Sequence, residues 1–233
     1  MVKKWLHIRE LGGDPWILPI WVAVNDAIST GRVSDLAPEA RQLGGYISIR
    51  LNMLPRIIKR INGQCKQLYE KIGERKPEHE FSESHRGVSF EINYDLKYNL
   101  IIDINSLLYE LNACCDFMAA LFEALHKHAG KPIAMNSAGL LIKKVLEDAG
   151  KNPAWFVILD GHRNFFTHEG TPNIAVDLTN APTYDLLIMK ENLFEFSDTS
   201  KFFRLSDLND IVQGFVVARP IIQRHLIGLY KDI

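Results

Sequence analysis

Apolar residues return every three or four positions over most of the chain, and the alternation characteristic of strands is confined to one stretch near its end. Between Tyr46 and Ile72 the repeat runs through Leu54, Ile58, Ile61, Cys65, Leu68 and Ile72, one face of a helix, with Lys59, Arg60, Lys66 and Lys71 on the remaining surface. A longer stripe, Leu100, Ile104, Leu107, Leu111, Cys115, Met118, Phe122 and Leu125, predicts a helix from about Asp95 to His128, stopped by Gly130 and Pro132. Such a stripe is core, and helices of this length belong to bundles. Asn136-Ser137 can cap a shorter helix ending at Gly150, and Pro153 opens another that reaches about His168. A last helix starts near Ser206 and turns Leu208, Ile211, Phe215, Ile222, Leu226 and Leu229 inward, with a kink expected at Pro220.

The period changes after Gly170-Thr171-Pro172. Ile174 to Leu178, Tyr184 to Met189 and Leu193 to Phe196 read as short strands, separated by Asn180-Ala181-Pro182 and Glu191-Asn192. Residues 1–45 carry the weakest pattern. A short helix over Pro15 to Ser29 is expected there, with Gly31 past its end, and the pair Gly44-Gly45 marks a break. The polar run Glu74 to Arg86 reads as a loop. The expected fold is mainly α: one domain over 1–233, a helical bundle with core helices over about 46–170 and 206–231 and a β insertion over about 173–205.

Composition narrows this little. At 233 residues, 47% hydrophobic and 24% charged, the chain is an ordinary globular one, and its net charge of -1 advertises neither nucleic acid nor a membrane surface. Cys65 stands alone, and the neighbours Cys114 and Cys115 cannot form an ordinary bridge, so all three read as buried thiols in a reducing compartment. The apolar stretch Trp16 to Val24 is too short to span a bilayer, and Arg9, Glu10 and Asp14 spoil it as a signal peptide. A cytoplasmic protein is expected.

One segment carries chemistry: Asp160-Gly161-His162-Arg163-Asn164-Phe165-Phe166-Thr167-His168-Glu169-Gly170. On a continuous helix Asp160, Asn164 and His168, four apart, share a face, with Arg163 and Thr167 on its flank. An ordinary histidine titrates near pH 6.5 and can pass a proton at neutral pH. A guanidinium grips a phosphate with two parallel hydrogen bonds and counters charge developing on it. Together they suffice to cut RNA through its own 2′-hydroxyl, while Asn164 can orient the phosphate or the ring. The plainer reading is that these side chains cap helix carbonyls and pair with Asp160 or Glu169. The similar spacing Arg219 to His225 has Pro220 in the polar position and is set aside.

Arg163 followed by Asn164 and, four residues after that, His168 resembles the R-x4-6-H signature of the HEPN superfamily, in which an upstream acid such as Asp160 is also common. The likeness covers about residues 46–170 and leaves the N-terminal stretch and the β insertion unexplained. It implies a four- or five-helix bundle that dimerises. In active members it implies a metal-independent endoribonuclease, often in toxin–antitoxin, phage-defence or RNA-processing settings. The residues it marks as catalytic are Arg163, His168 and Asn164, supported by Asp160, His162 and Thr167. It implies no cofactor and no metal; the partners it implies are RNA, a second copy of the chain and, in some settings, an antitoxin protein. Many such domains are inactive, so a non-catalytic module binding a nucleotide, an RNA or a partner protein is the alternative, and a helical scaffold without a site is the third. Some HEPN toxins carry a modifiable tyrosine two residues after the histidine; Gly170 stands there in this chain. Of the other histidines, His126 and His128 are expected to cap the long helix, His162 to be an exposed neighbour of the motif, and His79 and His85 to lie in a loop without zinc-ligand spacing.

Overall fold

The structure is a computed structural model that describes residues 13–74, 92–134, 137–169, 172–191, 193, 196–231 and 233. Two antiparallel helices form its backbone: α2, Pro38–Gly73, and α3, Tyr94–His128. Their apolar stripes interlock in one continuous core, with Ile47, Leu100, Ile104, Leu108, Leu111, Leu121 and Phe122 completely buried. The remaining helices are α1, Leu18–Ser29; α4, Ala138–Asp148; α5, Ala154–Asn164; and α6, Leu205–Leu229. α6 closes the bundle by packing against α1, α3, α4 and α5.

The N-terminal helix forms where expected, entered through a 3-10 turn at Pro15–Ile17. The break expected at Gly44-Gly45 does not occur, because α2 begins at Pro38 and runs straight through it. The reason is tertiary: a Cβ on Gly44 would overlap the Trp21 ring. The glycine is there for close approach of α1 to α2, and a buried contact outweighs its poor helix propensity. Most of the polar run after Glu74 lies outside the described residues. α6 is helical on both sides of Pro220.

The insertion is a three-stranded antiparallel sheet in the order β1 (Asn173–Asp177), β2 (Asp185–Met189), β3 (Phe202–Arg204). The first two strands fall within one residue of the expected Ile174 to Leu178 and Tyr184 to Met189. The third is displaced from the expected Leu193 to Phe196: Leu193 and Phe196 lie in no strand, and Phe194-Glu195 fall outside the described residues. Pairing decides this. Ile174, Ile188 and Phe203 stand opposite one another across the sheet, so Phe203 extends the apolar face that Leu186 and Ile188 turn to the bundle. The chain is therefore mainly helical, with a small sheet set before the last helix.

Polar contacts also tie the helices together. Arg60 on α2 makes a two-pronged bond to the buried Asp103 on α3, at 2.7–3.1 Å, and Gln64 adds a bond of 2.9 Å. Asp14 holds Arg219 at 2.5 and 2.6 Å, while the Trp16 indole donates to the Arg219 carbonyl at 2.8 Å. This settles the second Arg-to-His spacing: Arg219 is committed to the first turn of the fold.

Candidate functional site

α5 is short and anchored on one side. The Asn152 side chain accepts the Ala154 N–H at 2.9 Å, and Leu159 and Phe165 are sunk in the core. Burying a leucine of this kind stabilises by roughly 1.5–3 kcal/mol, enough to fix the rotation of an eleven-residue helix. Trp155 packs edge-on to Phe215, and Gly214 makes room for its ring. The opposite side faces out: Val157 is 62% and Ile158 45% exposed, beside Asp160 and Gly161.

The motif sits on this outer side. Asn164 Nδ2 donates to Asp160 across one turn at 3.4 Å, and Arg163 Nη1 donates to Asn164 Oδ1 at 2.7 Å. Asp160 and Asn164 thus share a face as expected, and the amide relays the carboxylate's orientation to the guanidinium. Thr167 donates to the Arg163 carbonyl at 2.9 Å, so its hydroxyl is spent on the backbone.

His168 lies beyond the regular part of α5. α5 gives way at Phe165 to a π turn, Phe165–Glu169. A π turn bonds residue i to i+5 and is wider than an α turn. The step from Arg163 to His168 is five residues. His168 stands on this π turn, just past the end of α5. His168 is exposed and makes no hydrogen bond or ion pair among the described residues, and Arg163 is half-buried and has no ion pair among them.

α3 adds two residues that the sequence did not single out. Asn112 is buried and donates to Asp116 at 3.0 Å. Asp116 keeps exposed surface, yet the protein crowded around its carboxyl raises its pKa; the nearby Arg163 charge pulls the other way, and Asp160 adds to the rise. These effects put Asp116, on α3, within electrostatic reach of Arg163 on α5. The available signal was a polar pair four apart inside the apolar run of α3. The apolar residues on either side of the pair mask it in the sequence.

His162 does not support the motif. Its ring is half-buried and stacked on Phe203 at 4.0 Å, and its Nε2 is buried without a partner. Burial, aided by Lys190 and opposed by Asp207, pushes its pKa down to about 4. It is two residues short of Asn164, and that step turns it to the sheet instead of to solvent. His126 and His128 are not simple helix caps either, since both bridge to other elements. His126 Nε2 lies 3.0 Å from His225 Nε2, and His128 Nε2 donates to the Ser34 carbonyl at 2.8 Å with Nδ1 2.9 Å from the Tyr230 hydroxyl. His79 and His85 lie outside the described residues. The cysteines are free and buried, and burial raises Cys65 to about 11 and Cys114 to about 12. Among the described residues, no three His, Cys, Asp or Glu side chains gather as metal ligands, and no helix is long and apolar enough to cross a membrane.

Comparisons with protein-family models, with curated proteins and with solved structures find no match. The arrangement must therefore be weighed on its chemistry. A guanidinium braced by an amide can bind an anion, and an exposed imidazole one widened turn away can move a proton.

Proposed function

We propose that this chain is a HEPN-type, metal-independent endoribonuclease that works as a homodimer. The observation that carries the reading is the state of Arg163. It is oriented by the neutral Asn164 amide, free of ion pairs among the described residues, and followed on a π turn by an exposed His168. A purely structural arginine near carboxylates would be expected to close on one of them, as Arg60 does on Asp103. The interruption itself also supports a functional site, because π turns within helices are frequent at such sites and disfavoured elsewhere.

In the proposed reaction His168 removes the proton of the 2′-hydroxyl, which attacks the adjacent phosphorus. Arg163 stabilises the charge that builds on the phosphate oxygens. As the 2′-oxygen bonds to phosphorus the bond to the 5′-oxygen breaks, and that oxygen leaves with the proton His168 took up, giving a 2′,3′-cyclic phosphate and a 5′-hydroxyl. Asn164 and Asp160 hold the guanidinium, and Asp116 limits its travel from the α3 side. A second copy is proposed to complete the cleft, with the two Arg163/His168 pairs facing across a two-fold axis. The exposed Val157 and Ile158, with the open space over Gly161, offer α5 a surface on which to pack. A toxin or defence role, with an antitoxin as a further partner, follows from the resemblance alone.

The test is incubation of purified protein with end-labelled RNAs in excess chelator. Cleavage leaving cyclic-phosphate ends, with matching DNA untouched because it lacks the 2′-hydroxyl, is the expected result. A wild-type protein that cuts none of a varied RNA set refutes the enzyme and brings forward a HEPN module that binds a nucleotide, RNA or protein.

A further inference from the structure

One cavity lies away from the motif. It is a cleft of about 560 Å³ between α2, the β1–β2 connection and the start of α6, within the roughly 300–1,000 Å³ usual for small-molecule sites. We propose that it binds a small organic cation with an apolar body, an arylalkylamine or a close chemical equivalent.

The lining divides by chemistry. The floor is apolar: Ile61 on α2, Leu107 on α3, and Leu208 and Val212 on α6. Tyr69 and Tyr184 stand at one side with ring centroids 5.7 Å apart. An apolar body gains by leaving water for such a floor, and the negative faces of tyrosine rings favour a cation over an anion.

The mouth carries the charge. Asp177 and Asp185 are direct partners in the β1–β2 register, and like charges set opposite one another repel. Arg204 is the cation between them, at 3.7 Å from Asp177 and 3.8 Å from Asp185. Those separations exceed the roughly 2.7–2.9 Å of a charge-assisted hydrogen bond. Asp177 also accepts the Thr179 N–H at 3.0 Å, and Asp185 the Ser206 hydroxyl at 3.1 Å, which leaves each carboxylate with spare acceptor capacity. Two carboxylates thus share one loosely placed guanidinium at the rim of an apolar, aromatic cleft. An ammonium group there balances the charge while its hydrocarbon part fills the floor. A phosphate would meet net negative charge, so the cleft is chemically distinct from the Arg163/His168 site.

Calorimetry with three probes of one shape tests this: 2-phenylethylamine, the neutral 2-phenylethanol and the anionic 3-phenylpropionate. The amine should bind with a Kd on the order of 1 mM, as suits so small a ligand, the alcohol about tenfold more weakly, and the acid not measurably. Asp185→Asn should weaken the amine about tenfold. Asn209→Trp, an exposed rim position on α6, should fill the mouth and abolish binding while leaving the circular dichroism unchanged. His168→Ala should bind the amine like the wild type, so failure here and failure of the ribonuclease reading are separate results. The proposal is overturned if the three probes bind alike, if the amine gives no heat up to about 10 mM, or if Asn209→Trp binds it undiminished.

Discussion

His126 on α3 and His225 on α6 meet nitrogen to nitrogen, with Nε2 atoms 3.0 Å apart and both rings stacked on Phe122. One proton can lie between them. His126 Nδ1 faces the Lys131 carbonyl at 3.3 Å and so carries its hydrogen, which leaves His126 Nε2 to accept from His225. Adding a second proton would set two N–H groups against each other.

That contact predicts a loss of stability in acid. Burial lowers the pKa of both histidines from the ordinary 6.5, with the Lys131 charge adding to it in each case. The unfolded chain therefore takes up protons first as pH falls. The stability these two residues contribute is complete above about 6.5 and declines below it, toward their lower folded values. His162, pushed down to about 4, steepens the same decline. Melting temperature measured from pH 8 to pH 5 should fall below about 6.5, and His225→Gln or His162→Phe should each flatten the slope. A profile equally steep in both variants would contradict this assignment.

Substitutions at the motif should rank by chemical role. His168→Ala is expected to cut RNA cleavage by about a hundredfold or more, the usual scale for a positioned acid–base group. Arg163→Lys should fall nearly as far, because a point ammonium cannot copy the planar fork. Asn164→Ala and Asp116→Asn should be milder, about tenfold each, since they orient the guanidinium and touch no reacting atom. Single-turnover cleavage rates check the order. Wild-type rates in both His168→Ala and Arg163→Lys would place the activity elsewhere.

If α5 is the dimer surface, a charge at its exposed apolar position should split the pair. Val157→Asp should sediment as a monomer at micromolar concentration and lose cleavage, with an unchanged helical spectrum. A dimer that persists in this variant would move the interface off α5.

Two glycines of α6 make a paired prediction. A Cβ on Gly214 would overlap the Trp155 ring, whereas one on Gly228, in the same helix, meets open space. Gly214→Ala should cost about 1–3 kcal/mol by overpacking α5 against α6. Gly228→Ala should instead stabilise by roughly 0.5–1 kcal/mol, through helix propensity. Urea midpoints for the two variants should move in opposite directions.

Local pattern was sufficient wherever an element buries one face of a regular repeat. The stripes of α2, α3 and α6 were legible in this way, because a period of 3.6 survives in the order of residues, while the first two strands were marked by short apolar runs between turn residues. The proximity of Arg163, Asn164 and His168 in sequence was likewise plain. Tertiary structure decided what depends on a partner. Gly44 reads as a breaker until Trp21 lies against it, and β3 is set by pairing with β2 at Phe203 instead of by its own short sequence. The π turn that carries His168 is a change of helical pitch at Phe165, which residue spacing does not encode. Asn112 and Asp116 reach the site only because α3 crosses α5 there, and His162 leaves it only because Phe203 stacks on its ring. Sequence carries the period of each element; which side chains meet is settled by how the elements cross, since those contacts join positions far apart in the chain.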